Sequence, residues 1–142
     1  MSTTRLYCSF FIDKVFCGLE VDKVQEVLRP QPITRVPLAP PIVRGLINLR
    51  GQIVTAIDLR QRLGMSPRTE HRESMNIVIR TEEGIVSLLV DDIGDVIPVD
   101  DAAFENVPDT LRGAHRELIN GVCKLNDRLL LVLNTEQVMR IL

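Results

Sequence analysis

The sequence has very few aromatic residues: tryptophan is absent, and aromatic residues make up only 4% of its 142 positions. Hydrophobic residues nevertheless account for 45% of the chain, which is enough for the core of one ordinary domain. That core must be built mainly from valine, isoleucine and leucine, and branched side chains pack well on the pleated surface of strands. We therefore predict a single all-β or mostly β domain over residues 1–142.

Cysteine and histidine are scarce, and their spacing does not match a set of metal ligands. Cys8, Cys17 and Cys123 form no Cys-x-x-Cys pair, so we expect buried reduced thiols and no disulfide framework or zinc site. His71 and His115 lack the helical spacing of metal ligands. The chain also lacks a glycine-rich phosphate loop and a nucleophile with a nearby base. We expect no metal, no cofactor and no catalytic activity.

Long hydrophobic runs are missing as well. No segment approaches the ~18 consecutive apolar residues that a membrane span requires. The first residues, MSTTRLYC, contain no apolar signal core. We expect a cytoplasmic protein with no direct insertion into a membrane.

The net charge is only −2, but charges of opposite sign occupy different segments. Seven arginines and one acid lie between Arg29 and Arg68, whereas nine acids and no base lie between Thr81 and Asp109. These segments can be solvated faces, can face each other within the fold, or can present opposite fields to partners or to copies of the chain. The arginine segment contains no aromatic residue that could stack on a base. A nucleic-acid-binding small barrel is therefore only a remote alternative.

A hairpin is predicted in the stretch from Val43 to Arg60, VRGLINLRGQIVTAIDLR. Two apolar, β-branched runs flank the polar turn Arg50-Gly51-Gln52, as in a strand-turn-strand unit. We expect Asp58 to end the second strand and to cap a short helix that runs through Arg62 and ends at Gly64.

The rest of the chain also reads as short strands. Leu6 to Ile12 and Val15 to Leu19 are predicted to form a first hairpin, and Val21 to Arg29 a third extended element. Five prolines then fall between Pro30 and Pro41, a segment that we call the connector and expect to cross the surface in extended form. At the end of the chain, Asn134 to Leu142 is predicted to be a helix with Asn134 as its cap.

The two halves of the sequence resemble each other. Val21 to Leu28 matches Val90 to Ile97 without a gap, and Gly45 to Ile53 matches Gly121 to Leu129. We therefore predict a duplication with copies at about 5–63 and 75–142. Each copy supplies some five short strands, which suit a small closed barrel that removes its own edges. Strands of one copy can belong in space to the barrel of the other.

The hairpin also carries a family resemblance. Gly45, Asn48-Leu49-Arg50-Gly51, Ile53 and Asp58-Leu59-Arg60, together with Val21 to Val27, resemble the signature segments of the CheW-like domain family. The resemblance implies two five-stranded SH3-like barrels packed together. It also implies a non-catalytic adaptor that couples chemoreceptors to the chemotaxis histidine kinase, working in the cytoplasm at membrane receptor arrays. A CheW-like adaptor for another motility or polar-localisation pathway is the nearest alternative.

Two sets of candidate binding residues follow. A groove between two barrels can take the apolar face of an amphipathic helix, and by resemblance it holds the cytoplasmic hairpin tip of a receptor. The predicted receptor-binding residues are Val24, Glu26, Val27, Asn48, Arg50, Ile93 and Val96. We expect Arg50 to serve the partner, since Gly51 alone can supply the backbone freedom of the turn.

The second set is predicted to contact the regulatory domain of the kinase. These residues are apolar, but they lie in connecting segments where burial by the fold itself is hard to arrange. They are Ile33, Val36, Leu38, Phe104, Val107 and Leu111.

Overall fold

The computed structural model describes residues 3–66, 73–108 and 116–140, and these residues are mostly β, as predicted. The strands are β1 Thr4–Ile12, β2 Val15–Glu20, β3 Val24–Leu28, β4 Val43–Leu49, β5 Gln52–Asp58, β6 Met75–Thr81, β7 Gly84–Val90, β8 Asp92–Asp100, β9 Phe104–Glu105, β10 Ile119–Lys124 and β11 Leu129–Leu133. The helices are α1 Leu59–Arg62 and α2 Thr135–Met139, and short 3₁₀ turns span Val21–Lys23, Asp101–Ala103 and Arg116–Leu118.

The strands form two sheets. The first sheet has the order β8-β1-β2-β11-β10-β9, and the second has the order β3-β6-β7-β5-β4. The second sheet has the five strands expected of a small barrel, and the first has five longer strands plus the two-residue β9. Pairing is antiparallel except where β2 meets β11 and β5 meets β7. Each sheet therefore combines strands from both halves of the chain, and the duplication itself stays a prediction.

Three buried clusters form the core. One cluster lies within each sheet, and a third, which we call the shared core, combines residues of both sheets. The alternation of side chains along a strand explains this division. On β6, Ile77 and Ile79 belong to the shared core, whereas Val78 between them belongs to the core of the second sheet. A strand that is buried on both faces serves two cores at once.

The predicted hairpin and helix caps are present. Asp58 Oδ1 accepts a hydrogen bond from Gln61 N at 3.2 Å at the start of α1, and the Asn134 side chain accepts one from Gln137 N at 3.0 Å at the start of α2. α2 ends at Met139, and Arg140 is extended, so this helix is shorter than predicted. The third element also differs, because Val21–Lys23 is a 3₁₀ turn and extended structure begins only at Val24.

The connector is fixed to β4. Thr34 N donates to Leu46 O, and Leu46 N donates to Thr34 O, each at 2.8 Å. Gly45 makes this approach possible, because a Cβ on it would lie 2.3 Å from the Thr34 carbonyl oxygen. The connector is thus held against the edge of the second sheet. None of the helices within the described ranges is long and apolar enough to cross a membrane.

Candidate functional site

The four apolar residues of the predicted groove lie on the edge strands β3 and β8. On β3, Val24 pairs with Ile79 and Val27 with Ile77, and both of these partners belong to the shared core. Directly paired residues point to the same face of a sheet, so Val24 and Val27 are on the face that packs against the first sheet.

The register of β8 likewise puts Ile93 and Val96 on the face of the first sheet that borders the shared core. Ile93 pairs with Phe10, which is in the shared core, and Val96 pairs with Cys8 on the same face of β1. The 3₁₀ turn Val21–Lys23, which leads into β3, contacts β1, the neighbour of β8. We call Val24, Val27, Ile93 and Val96 the apolar strip.

On each strand of the apolar strip, one residue is half-buried and the other is exposed to solvent. Val24 and Ile93 are half-buried and pack against the shared core. Val27 is 40% exposed and Val96 is 55% exposed. The apolar surface therefore continues from the shared core out to solvent along two strand edges, where an apolar partner surface can cover it.

The polar candidates form a separate group at the β4–β5 turn. Arg50 Nη2 donates to Glu26 Oε2 on β3, and this bond from Arg50 holds the pKa of Glu26 below its usual value. Glu26 is next to Val27 on a strand, so it points to the opposite face from the apolar strip. The structure thus brings Glu26 and Arg50 together, but on a different face of β3 from Val24 and Val27.

Arg50 and Asn48 both have roles within the turn. Arg50 has a φ of 51° and Gly51 a φ of 88°, as in hairpin turns with two left-handed central residues. Asn48 Oδ1 accepts a hydrogen bond from Gly51 N at 2.8 Å. The expectation that Gly51 alone provides the freedom of the turn is wrong, because Arg50 adopts the left-handed conformation too.

The predicted kinase-binding residues differ widely in exposure. Leu38 is fully exposed, at 104% of its reference area, and Val36 is 39% exposed. Ile33 packs against the core of the second sheet, Phe104 packs against that of the first, and Val107 is only 8% exposed. The expectation that the fold leaves these three unburied is wrong, since the bridge to β4 and the pairing of β9 with β10 hold their segments against the sheets. Leu111 lies outside the described residues.

An ion-pair network around the buried Arg60 was not predicted from the sequence. Arg60 Nη1 and Nη2 donate to the two oxygens of Asp13 at 2.7 and 2.6 Å, and Nη2 also donates to Asp91 Oδ2 at 2.6 Å. The side chain of Arg60 is 9% exposed, and the hydrogen bonds that it donates to Asp13 raise its pKa. Asp13 is in the β1–β2 turn and Asp91 follows β7, so this network joins the two sheets. Its partners are distant in sequence, and the only local signal was an arginine inside a short capped helix.

The described part of the chain contains no activated thiol and no cluster of metal-ligating side chains. Desolvation by burial raises the pKa of the Cys17 thiol to about 12 and also raises the pKa values of Cys8 and Cys123. Thiols in this state are poor nucleophiles. No group of three or more metal-ligating side chains occurs among the residues described.

A comparison with protein-family models decides the classification. The model of the CheW-like domain matches residues 7–142. The chain belongs to the CheW-like domain family. "Chemotaxis protein CheW" of Helicobacter pylori is 28% identical over 134 residues, which cover 94% of the chain and 81% of that protein. "Chemotaxis protein CheW" of Bacillus subtilis is 30% identical over 130 residues, which cover 92% of the chain and 83% of that protein.

A solved structure gives the same classification. The crystal structure of the scaffolding protein TtCheW from Thermoanaerobacter tengcongensis matches with a TM-score of 0.84 and 28% identity, covering 93% of the chain and 90% of TtCheW. The predicted fold of paired SH3-like barrels is confirmed. As a CheW-like protein, the chain is a non-catalytic scaffold of chemotaxis signalling that couples receptors to the kinase.

Proposed function

We propose that the apolar strip binds the cytoplasmic hairpin tip of a chemoreceptor. The supporting observation is the register of β3 and β8, which puts all four residues of the strip on the faces that enclose the shared core. Val27 and Val96 remain exposed there. A helical hairpin offers an apolar face with a repeat of three to four residues, and such a face can cover an apolar strip between two sheets.

The polar group at the β4–β5 turn contributes to the same partner in this proposal. Arg50 is exposed and its guanidinium has further N–H donors beyond the one given to Glu26. These donors can reach carboxylates or carbonyl oxygens of the receptor, while Asn48 keeps the turn in shape. Glu26 then orients Arg50 before binding, which reduces the entropy lost on association.

The regulatory domain of the kinase occupies another surface in this proposal. The connector presents Val36 and Leu38 to solvent, and neither belongs to one of the three cores. Ile33 supports this surface from the core of the second sheet, and Phe104, Val107 and Leu111 stay predicted kinase contacts. With receptor and kinase bound to different surfaces at once, the protein works in the cytoplasm at receptor arrays.

Substitution of one exposed residue in the apolar strip tests the receptor site. Val96→Asp puts a charge into the proposed contact, and we expect the Kd for a receptor-tip fragment to rise about tenfold or more, the equivalent of ~1.4 kcal/mol. Leu129→Asp is a matched control, because Leu129 on β11 is 54% exposed and Val96 is 55% exposed. Isothermal titration calorimetry measures both variants against the receptor fragment and the kinase regulatory domain. Equal losses for Val96→Asp and Leu129→Asp, or equal losses for the two partners, would contradict the proposal.

A further inference from the structure

The connector forms one side of an open cavity of about 620 Å³ beside the start of α1. Polar and apolar atoms contribute equally to its walls, and the rings of Pro37, Pro40 and Pro41 fix part of the backbone there. The walls also contain Arg35, Leu38, Arg44 and Asp58. Hydrogen bonds hold both sides of this segment, from Thr34 to Leu46 and from Asp58 N to Ile42 O at 2.8 Å. The cavity is therefore formed before any partner binds.

The charges on the cavity wall are not balanced. Asp58 is its only acid, and both oxygens of Asp58 are engaged, one by Arg44 Nη2 at 3.0 Å and the other by Gln61 N at 3.2 Å. Arg35 is exposed and forms no ion pair with any residue that the structure describes. Arg44 is also partly exposed and retains free N–H donors. The wall therefore carries more positive than negative charge. The N–H donors of its guanidinium groups lie in a plane, a geometry that suits the two oxygens of a carboxylate.

Leu38 stands beside these arginines in an unusual conformation. Its φ is 64°, a left-handed value in which the Cβ of a leucine approaches the following carbonyl oxygen, and its side chain is fully exposed. No core cluster includes Leu38 to offset this strain. A strained residue that presents an apolar side chain to solvent is typical of a contact surface.

We propose that this cavity binds a segment of the kinase regulatory domain that carries a carboxylate next to an apolar side chain. Arg35 pairs with the carboxylate, and the apolar side chain packs between Leu38 and the prolines of the wall. This inference rests on the proposed kinase surface and names its chemistry. A carboxylate is favoured because the cavity has two guanidinium groups and its single acid is already paired.

Charge reversal at Arg35 tests the proposal by titration calorimetry with the full chain and the kinase regulatory domain. Arg35→Glu is expected to raise the Kd about tenfold or more and to flatten its dependence on salt. Arg29→Glu is the matched control, because Arg29 is also exposed and without an ion pair among the described residues, but does not line the cavity. Leu38→Asn, which tolerates the left-handed conformation, is expected to weaken binding without lowering Tm. Receptor-tip binding stays unchanged in all three variants.

The outcomes separate this inference from the kinase surface as a whole. Equal Kd values for Arg35→Glu and Arg29→Glu, with kinase binding otherwise intact, would overturn the inference alone. If the unsubstituted chain does not bind the kinase domain, the proposed kinase surface fails and the inference fails with it. Loss of self-association in sedimentation, with unchanged kinase affinity, would assign the cavity to a second copy of the chain and also overturn it.

Discussion

Arg60 shows how one side chain can hold two sheets together. Its guanidinium bonds Asp13 from the β1–β2 turn and Asp91 from the end of β7, and Asp91 Oδ2 also accepts from Asp13 N at 2.6 Å. Arg60 and Asp91 are 9% and 10% exposed, so the opposite charge of each residue offsets the cost of burying the other. This pair also joins the arginine-rich segment to the acidic segment, which is one of the arrangements that the charge pattern left open.

Removal of Arg60 is predicted to destabilise the fold strongly. Arg60→Ala leaves the carboxylate of Asp91 buried without its guanidinium, and loss of one member of a buried pair costs about 3–5 kcal/mol. Arg44→Ala is the control, because the Arg44–Asp58 pair is exposed on the arginine side and such pairs contribute at most about 1 kcal/mol. Urea denaturation measures both free energies of unfolding. Similar small losses for the two variants would mean that the network contributes little.

Arg50 is predicted to act mainly in binding. Its side chain is 67% exposed, so Arg50→Ala should leave Tm nearly unchanged while the Kd for a receptor-tip fragment rises about tenfold. Kinase affinity should not change. Calorimetry with both partners and a thermal melt check this prediction, and a cooperative loss of stability would instead give Arg50 a structural role.

The carboxylate of Glu26 provides an independent readout of the same pair. The bond from Arg50 lowers the pKa of Glu26, so Arg50→Ala should raise that pKa towards its ordinary value. Because the folded-state pKa is lowered, the pair stabilises the fold above the ordinary pKa, and this contribution is lost as the pH falls through the folded-state pKa. An NMR titration of Glu26 measures the change. An unchanged pKa in Arg50→Ala would show that the ion pair does not persist in solution.

At the scale of elements, the connector depends on a glycine in β4. The Cβ position of Gly45 lies 2.3 Å from the Thr34 carbonyl oxygen and 2.7 Å from Ile33 Cγ2, and its φ is 154°. A side chain at position 45 would collide with the backbone of Thr34, which cannot rotate away as a flexible side chain can. The attachment of the connector to β4, and with it the proposed kinase surface, follows from this one residue.

Gly45→Ala is therefore predicted to displace the connector. We expect a loss of about 1–3 kcal/mol from overpacking and faster hydrogen exchange at the amides of Thr34 and Leu46. Gly84→Ala is the control for backbone strain alone. Gly84 has a φ of 137°, which strains any side-chain-bearing residue, but no atom lies within 4 Å of its Cβ position. If Gly45→Ala and Gly84→Ala lose the same free energy of unfolding, and the amides of Thr34 and Leu46 exchange at the same rate in both, the close approach of the connector to Gly45 is not important.

At the scale of the whole molecule, the two sheets are predicted to unfold as one unit. The shared core contains Phe10 and Leu19 from the first sheet together with Ile77 and Leu88 from the second, all fully buried. Leu88→Ala should cost about 2–5 kcal/mol and lower the stability of both sheets. Calorimetry should give one transition with equal calorimetric and van't Hoff enthalpies. Two transitions, with only the second sheet affected by Leu88→Ala, would show that the sheets fold separately.

The sequence by itself determined the features that depend on residues close together along the chain. Alternation of apolar residues predicted the strands, the polar stretch Arg50-Gly51-Gln52 predicted the β4–β5 hairpin although Gln52 already belongs to β5, and Asp58 and Asn134 predicted the two helix caps. Each of these rests on contacts within a few residues, so the local pattern contains the information.

Only the tertiary structure decided which distant residues meet. The parallel pairing of β2 with β11 and of β5 with β7 joins strands from different parts of the chain, and it puts both faces of several strands into cores. The same packing buries Val107, turns Ile33 towards the second sheet and brings Asp13 and Asp91 to Arg60. Strand periodicity defines two faces but not what covers each face, because that depends on the sheet against which the strand packs.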